Sequence, residues 1–137
     1  MLFRSPYQRH FDDLPLHKML GITLKERRPG FARICLRKDA ETPGGIGGSV
    51  HGGILAAMVD IVMLVALFAD QRPGERPAGT ADLNITYLRP AHGDHVYADA
   101  TVIKRGRQLA VVEVSIVDDE DRLCAKGRTL YAFRAGE

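Results

Sequence analysis

Residues 52–69 read GGILAAMVDIVMLVALFA, and Asp60 is the only ionisable side chain among them. A carboxylate taken out of water without a partner is costly, so an acid kept on an apolar helix marks a site of chemistry. Nine residues upstream, His51-Gly52-Gly53 closes a glycine-rich loop and opens the same helix. The first N–H groups of a helix have no intrahelical acceptor and suit an anion or a developing oxyanion. A buried acid and an oxyanion-binding helix start on one short segment point to chemistry at a carbonyl.

The rest of the composition narrows the field. A chain of 137 residues is read as one domain spanning 1–137. A net charge of +2 from 19 basic and 17 acidic residues gives no general polyanion-binding signal, so nucleic acid is not an expected partner. Cys35 and Cys124 lie far apart without a CxxC pattern, and no signal peptide is recognised. Those features predict reduced thiols and a cytoplasmic location. Both cysteines occupy alternating positions in strand-like runs, where packing is the default role.

The apolar run approaches the roughly 20 residues of a membrane span. Asp60 near its centre and the absence of basic or aromatic anchors argue against insertion, so no membrane partner is expected. An all-apolar helix is instead the central helix of a core. The five histidines, His10, His17, His51, His92 and His95, form no convincing metal set. His92-Gly93-Asp94-His95 reads as a turn. The loop over 43–50 has neither the Gly-Lys-Ser/Thr ending of a phosphate loop nor GxGxxG after a strand.

These residues need a scaffold. A short helix is expected over 12–19 with Asp12 as its N-cap, followed by strands over 20–28 and 31–37 across Pro29-Gly30. The long helix stops before Gln71-Arg72-Pro73-Gly74. Strands are then expected over 80–88, 96–104, 109–117 and 123–133, joined by short turns that demand antiparallel neighbours. Two strands, one apolar helix and four strands predict an α+β fold, a curved antiparallel sheet wrapped around the helix. One sheet cannot cover such a helix completely, so a dimer at least is expected.

Three stretches carry a family resemblance. Gly47-Gly48-Ser49-Val50-His51-Gly52-Gly53, followed by Asp60, resembles the HGG…D signature of hotdog-fold acyl-CoA thioesterases, in the phenylacetate-degradation branch. GTADLNITYLRPA over 79–91 is similar to that branch's strand after the helix, and VIKRGRQLA over 102–110 to its next hairpin. The resemblance runs from about residue 20 to the C-terminus. It implies hydrolysis of an acyl-CoA to a free acid and coenzyme A, with no metal and no cofactor beyond the substrate's own coenzyme A.

By the same resemblance Gly52 supplies the backbone N–H that binds the thioester oxygen, and Asp60 acts as general base or nucleophile. Thr80 helps to orient water, and His51 supports the loop. Gly53 belongs to the substrate-binding backbone. Arg89, Lys104, Arg105, Arg107 and Arg128 are candidates for the coenzyme A phosphates, with Arg105-Gly106-Arg107 at a hairpin tip the best cluster. The oxyanion donor and the acid come from opposite subunits, so a homodimer is required and a homotetramer is expected from pairing of dimers. Pocket length would depend on how a second subunit packs against Met58, Val62 and the Phe68 end of the helix.

The chain departs from the family at position 45. Many members carry Asn or Gln six residues before the histidine, and this chain has Gly45. That departure keeps a non-catalytic binder of acyl-CoA or an aromatic acid as the alternative. An enoyl-thioester hydratase is disfavoured, because its usual His-and-acid spacing is absent.

Overall fold

A computed structural model describes residues 10–70 and 72–134. A 3₁₀ turn, Phe11–Asp13, leads into the short helix α1 (Pro15–Leu20). Strands β1 (Ile22–Arg28) and β2 (Phe31–Arg37) precede the long helix α2 (Gly52–Phe68). The chain then adds β3 (Arg76–Tyr87), β4 (His95–Arg105), β5 (Leu109–Val117) and β6 (Leu123–Arg134). One six-stranded sheet has the order β1-β2-β4-β5-β6-β3, and every neighbouring pair is antiparallel.

Alternation along the strands decides which face wraps the helix. Ala32, Ile34 and Leu36 of β2, Val96, Ala98 and Ala100 of β4, and Val112, Val114 and Ile116 of β5 are all buried. They close over Leu55, Met58, Val59, Val62 and Met63 of α2. Small alanines on the middle strands let the helix approach, and branched residues fill the space around it. At Gly127 of β6 the approach is closest: a Cβ there would stand 2.9 Å from both methyl carbons of Val59.

The N-terminal expectation needs correction. Asp12 caps no helix; α1 starts at Pro15 behind Leu14. The Asp12 carboxylate instead accepts the Leu24 N–H at 2.8 Å, fastening the first turn to β1. Leu20 ends α1 and does not begin the strand, because Gly21 turns the chain with φ +74°.

Strand β3 starts four residues earlier than the sequence suggests, at Arg76. Pro77 is tolerated there because β3 is an edge strand. Its register shifts between Thr80 and Asp82, leaving Ala81 as an extra residue. That bulge decides which face Thr80 takes. Thr80 pairs with inward-facing Tyr131, and Leu83 pairs with inward-facing Thr129, although three residues separate them. Without the bulge, strict alternation would turn Thr80 to the opposite face.

The sheet leaves one stripe of α2 uncovered. Gly53, Ala56, Ala57, Asp60 and Leu64 recur at helical spacing and remain partly or fully exposed. Asp60 is therefore not sealed inside its own chain, as the sequence suggested. The 3.6-residue period places it on the open stripe, beside two alanines too small to shield it. No helix among the described residues is long and apolar enough to cross a membrane.

Candidate active site

The glycine-rich loop is folded back on itself before α2 begins. Gly45 N–H donates to Ser49 O at 2.6 Å, Val50 N–H to Ala91 O at 3.0 Å, and His51 N–H to Pro43 O at 2.9 Å. A side chain at position 45 would start 3.0 Å from the Ser49 hydroxyl, so the loop as folded is closed around glycine.

His51 is the N-cap of α2. Its Nδ1 accepts the Gly53 N–H at 2.9 Å, and its carbonyl accepts from Ile54 at 2.9 Å and Leu55 at 3.3 Å. These contacts account for the second, third and fourth amides of the helix. The Gly52 N–H has no acceptor among the described residues. A helix start normally offers several free donors; here it is narrowed to one. Gly53, expected to meet substrate through its backbone, spends its N–H on the histidine ring.

Gly52 lines a cavity of about 390 Å³ walled by Gly45, Ile46, residues 49–52, Leu55, and the segment 87–91. Arg89 lies on its wall. Ile46, Tyr87 and Leu88 give it an apolar rim and are 86%, 51% and 56% exposed. The Tyr87 hydroxyl donates to Gly52 O at 2.7 Å.

The acid lies elsewhere on the same chain. Thr80 Oγ1 donates to Asp60 Oδ1 at 2.7 Å, while Oδ2 has no partner among the described residues. Tyr131 is close by: burial and then the Asp60 charge push its phenol up, so it stays neutral beside the carboxylate. Eight residues of helix between Gly52 and Asp60 rise about 12 Å, so one chain does not bring donor and acid onto one carbonyl.

The basic candidates divide. Arg105 is turned inward, with a side chain only 7% exposed. Its guanidinium donates to Leu67 O at 2.8 Å and to Glu75 at 2.5 Å, fixing the C-terminal end of α2. Arg107 stays exposed and lines a cleft of about 440 Å³ with Arg72, Gln108 and Arg134. Lys104 lies in a smaller neighbouring cleft. Arg128 pairs with Glu113 at 2.8 Å on the outer sheet face.

The expectation for Met58 and Val62 is corrected. Both are fully buried under the protein's own sheet. Ala57 and Leu64, on the open stripe, are what a second subunit or an acyl chain could reach.

Comparison with known proteins decides the family. The sequence model described as the thioesterase superfamily matches residues 47–125. The chain belongs to the thioesterase superfamily. Human acyl-coenzyme A thioesterase 13 is 36% identical over 114 residues, 81% of this chain and 79% of that one. Zebrafish thioesterase superfamily member 2 superposes with a TM-score of 0.78 at 27% identity, over 93% and 92% of the two chains. The Escherichia coli PaaI protein from the phenylacetic acid degradation operon gives 0.72 at 26% identity, over 84% and 85%. The curved sheet around one helix is thus the hotdog fold. The matched region runs from the Gly47 loop through α2 and on to β6, and so contains Gly52, Asp60 and Thr80.

Sequence reasoning did not single out Tyr87 or Tyr131. The signal for Tyr87 was an aromatic ending a strand directly before Leu-Arg-Pro-Ala, which propensity reads as ordinary strand content. Tyr131 becomes visible only through its pairing with Thr80.

Proposed function

We propose that this protein hydrolyses an acyl-CoA to a free acid and coenzyme A, using Gly52 of one copy and Asp60 of another. The observation that carries the reading is the unpartnered Gly52 N–H on the wall of a cavity, at the start of the helix that bears Asp60. Water attacks the thioester carbon as Asp60 Oδ2 takes its proton. The carbonyl oxygen gains charge and is held by the Gly52 N–H. Collapse of the tetrahedral intermediate expels the coenzyme A sulfur, which receives the proton from Asp60. Thr80 fixes the other carboxylate oxygen, and its hydroxyl lone pairs can accept from the attacking water.

The roughly 12 Å separation and two unsatisfied surfaces support a homodimer. The open stripe of α2 lies beside the unpaired edge of β3, and a second copy covers both. Pairing of dimers into a tetramer and a location in the reducing cytoplasm belong to the same reading. Arg107, sharing its cleft with Arg72 and Arg134, is suited to the nucleotide phosphates of coenzyme A.

Thiol release from a panel of acyl-CoAs tests this, with wild type beside Asp60→Asn. Loss of the base is expected to cost about a hundredfold or more in kcat with folding intact. Sedimentation should show a dimer or tetramer. A chain that coenzyme A stabilises without any turnover would be a binding protein instead.

A further inference from the structure

The helix start that supplies the oxyanion donor has a mechanical difficulty. Gly52 and Gly53 are adjacent, and glycine has more backbone freedom to lose than any other residue. A donor worth a large rate factor must nevertheless point in one direction, because displacement of about 1 Å can cost a hundredfold.

The structure answers this with two side chains acting on one peptide unit. The Gly52–Gly53 peptide is gripped at its nitrogen by His51 Nδ1, at 2.9 Å, and at its oxygen by the Tyr87 hydroxyl, at 2.7 Å. The preceding peptide, which carries the Gly52 N–H, is held through His51 O by Ile54 and Leu55. Both planes flanking the Gly52 Cα are therefore fixed. The Tyr87 ring also closes against that carbon: a Cβ on residue 52 would lie 3.2 Å from ring atoms Cε1 and Cζ and 3.3 Å from Oη. Glycine at 52 is what lets the ring seat.

Tyr87 is anchored well enough to serve. It pairs with Ala125 at the end of β3, and the next two amides, Leu88 and Arg89, both donate to Cys124 O, at 2.8 and 3.0 Å. Its hydroxyl proton is committed to Gly52 O, so Tyr87 is not itself the oxyanion donor.

We propose that Tyr87 is a positioning residue for the reaction, holding the Gly52–Gly53 peptide so that the Gly52 N–H meets the developing oxyanion. The assignment rests on the thioesterase reading above. It predicts a defect in kcat and not in substrate capture, because the clamp matters most as charge develops on the oxygen.

The test is Tyr87→Phe, which keeps the ring and deletes the hydroxyl, with Asp60→Asn run in parallel. With the best substrate of the acyl-CoA panel, kcat should fall about tenfold, the usual worth of one such hydrogen bond. KM, affinity for coenzyme A and melting temperature should stay near wild type. Amide ¹⁵N relaxation should show Gly52 and Gly53 becoming more mobile. An unchanged kcat, a change confined to KM, or unchanged Gly52 and Gly53 dynamics would overturn the Tyr87 assignment while leaving an Asp60-dependent thioesterase standing. A wild-type protein inactive on every thioester would overturn both.

Discussion

The hydroxyl of Thr80 donates to Asp60 Oδ1 at 2.7 Å, across the gap between an edge strand and the central helix. The contact exists because the bulge at Ala81 turns Thr80 to the inner face. It leaves Oδ2 without a partner among the described residues and restrains the plane of the carboxylate. Thr80→Ser keeps the hydroxyl and is expected to retain most of kcat. Thr80→Val keeps the shape but loses the donor, and kcat should drop about tenfold with KM little changed. Equal activity in the two variants would show that the hydroxyl does not orient the base.

Arg105 and Arg107 are two residues apart and stand in opposite surroundings, one enclosed and one exposed. Arg105 is enclosed, facing Glu75 and the Leu67 carbonyl, with Phe133 beneath its guanidinium at 5.0 Å. Arg105→Ala leaves Glu75 and a helix-terminal carbonyl unpaired and should destabilise the fold by about 3 kcal/mol. Arg107→Ala should barely move the melting temperature but raise KM several-fold for acyl-CoA. The same variant should show no KM change with a truncated thioester that lacks the nucleotide. Denaturation curves and steady-state kinetics on both variants check the pair.

Hydropathy and turn chemistry made much of this fold legible in the sequence. The apolar run 52–69 sets α2, and glycine and proline pairs punctuate strands whose alternation marks the inner face. What stayed hidden depends on single-residue offsets and on contacts distant in sequence. The Ala81 bulge reverses the parity of β3, and Arg105 folds inward although its neighbours Lys104 and Arg107 stay outside. Asp60 stood out in the sequence as the one charge on an apolar helix, but not as standing on an open stripe, because a helix apolar all round has no sequence mark of which face its own sheet leaves bare. The Tyr87–Gly52 contact spans 35 residues and leaves no local pattern.

Acid stability should depend on Asp118 at the β5–β6 turn. Burial alone would raise its pKa, but the Arg122 and Glu120 amides and the Arg122 guanidinium outweigh that and hold the carboxyl below its usual range. A carboxyl depressed in the folded state contributes stability that is fully present above its unfolded value of about 3.9. That contribution is lost as pH falls through the lower folded value. Asp118→Asn should therefore cost about 1–3 kcal/mol at pH 7, with the difference from wild type shrinking below about pH 4. Melting temperatures of both proteins across that range check it; a constant gap would contradict the assignment.

Gly127 tests how closely the helix carrying Asp60 must sit on the sheet. It faces inward between β5 and β3, and a methyl group would begin 2.9 Å from both Val59 methyl carbons, inside any relaxed contact. Val59 is fully buried, so it has no solvent to move into, and it directly precedes Asp60. Gly127→Ala should destabilise by about 1–3 kcal/mol through overpacking. Lifting α2 at Val59 should also lengthen the Thr80–Asp60 contact and lower kcat more than melting alone explains. Adding Val59→Ala should relieve the crowding, so the double variant should recover kcat relative to Gly127→Ala. No recovery in the double variant would mean that the glycine is needed for the path of β6 itself and not for the approach of the helix.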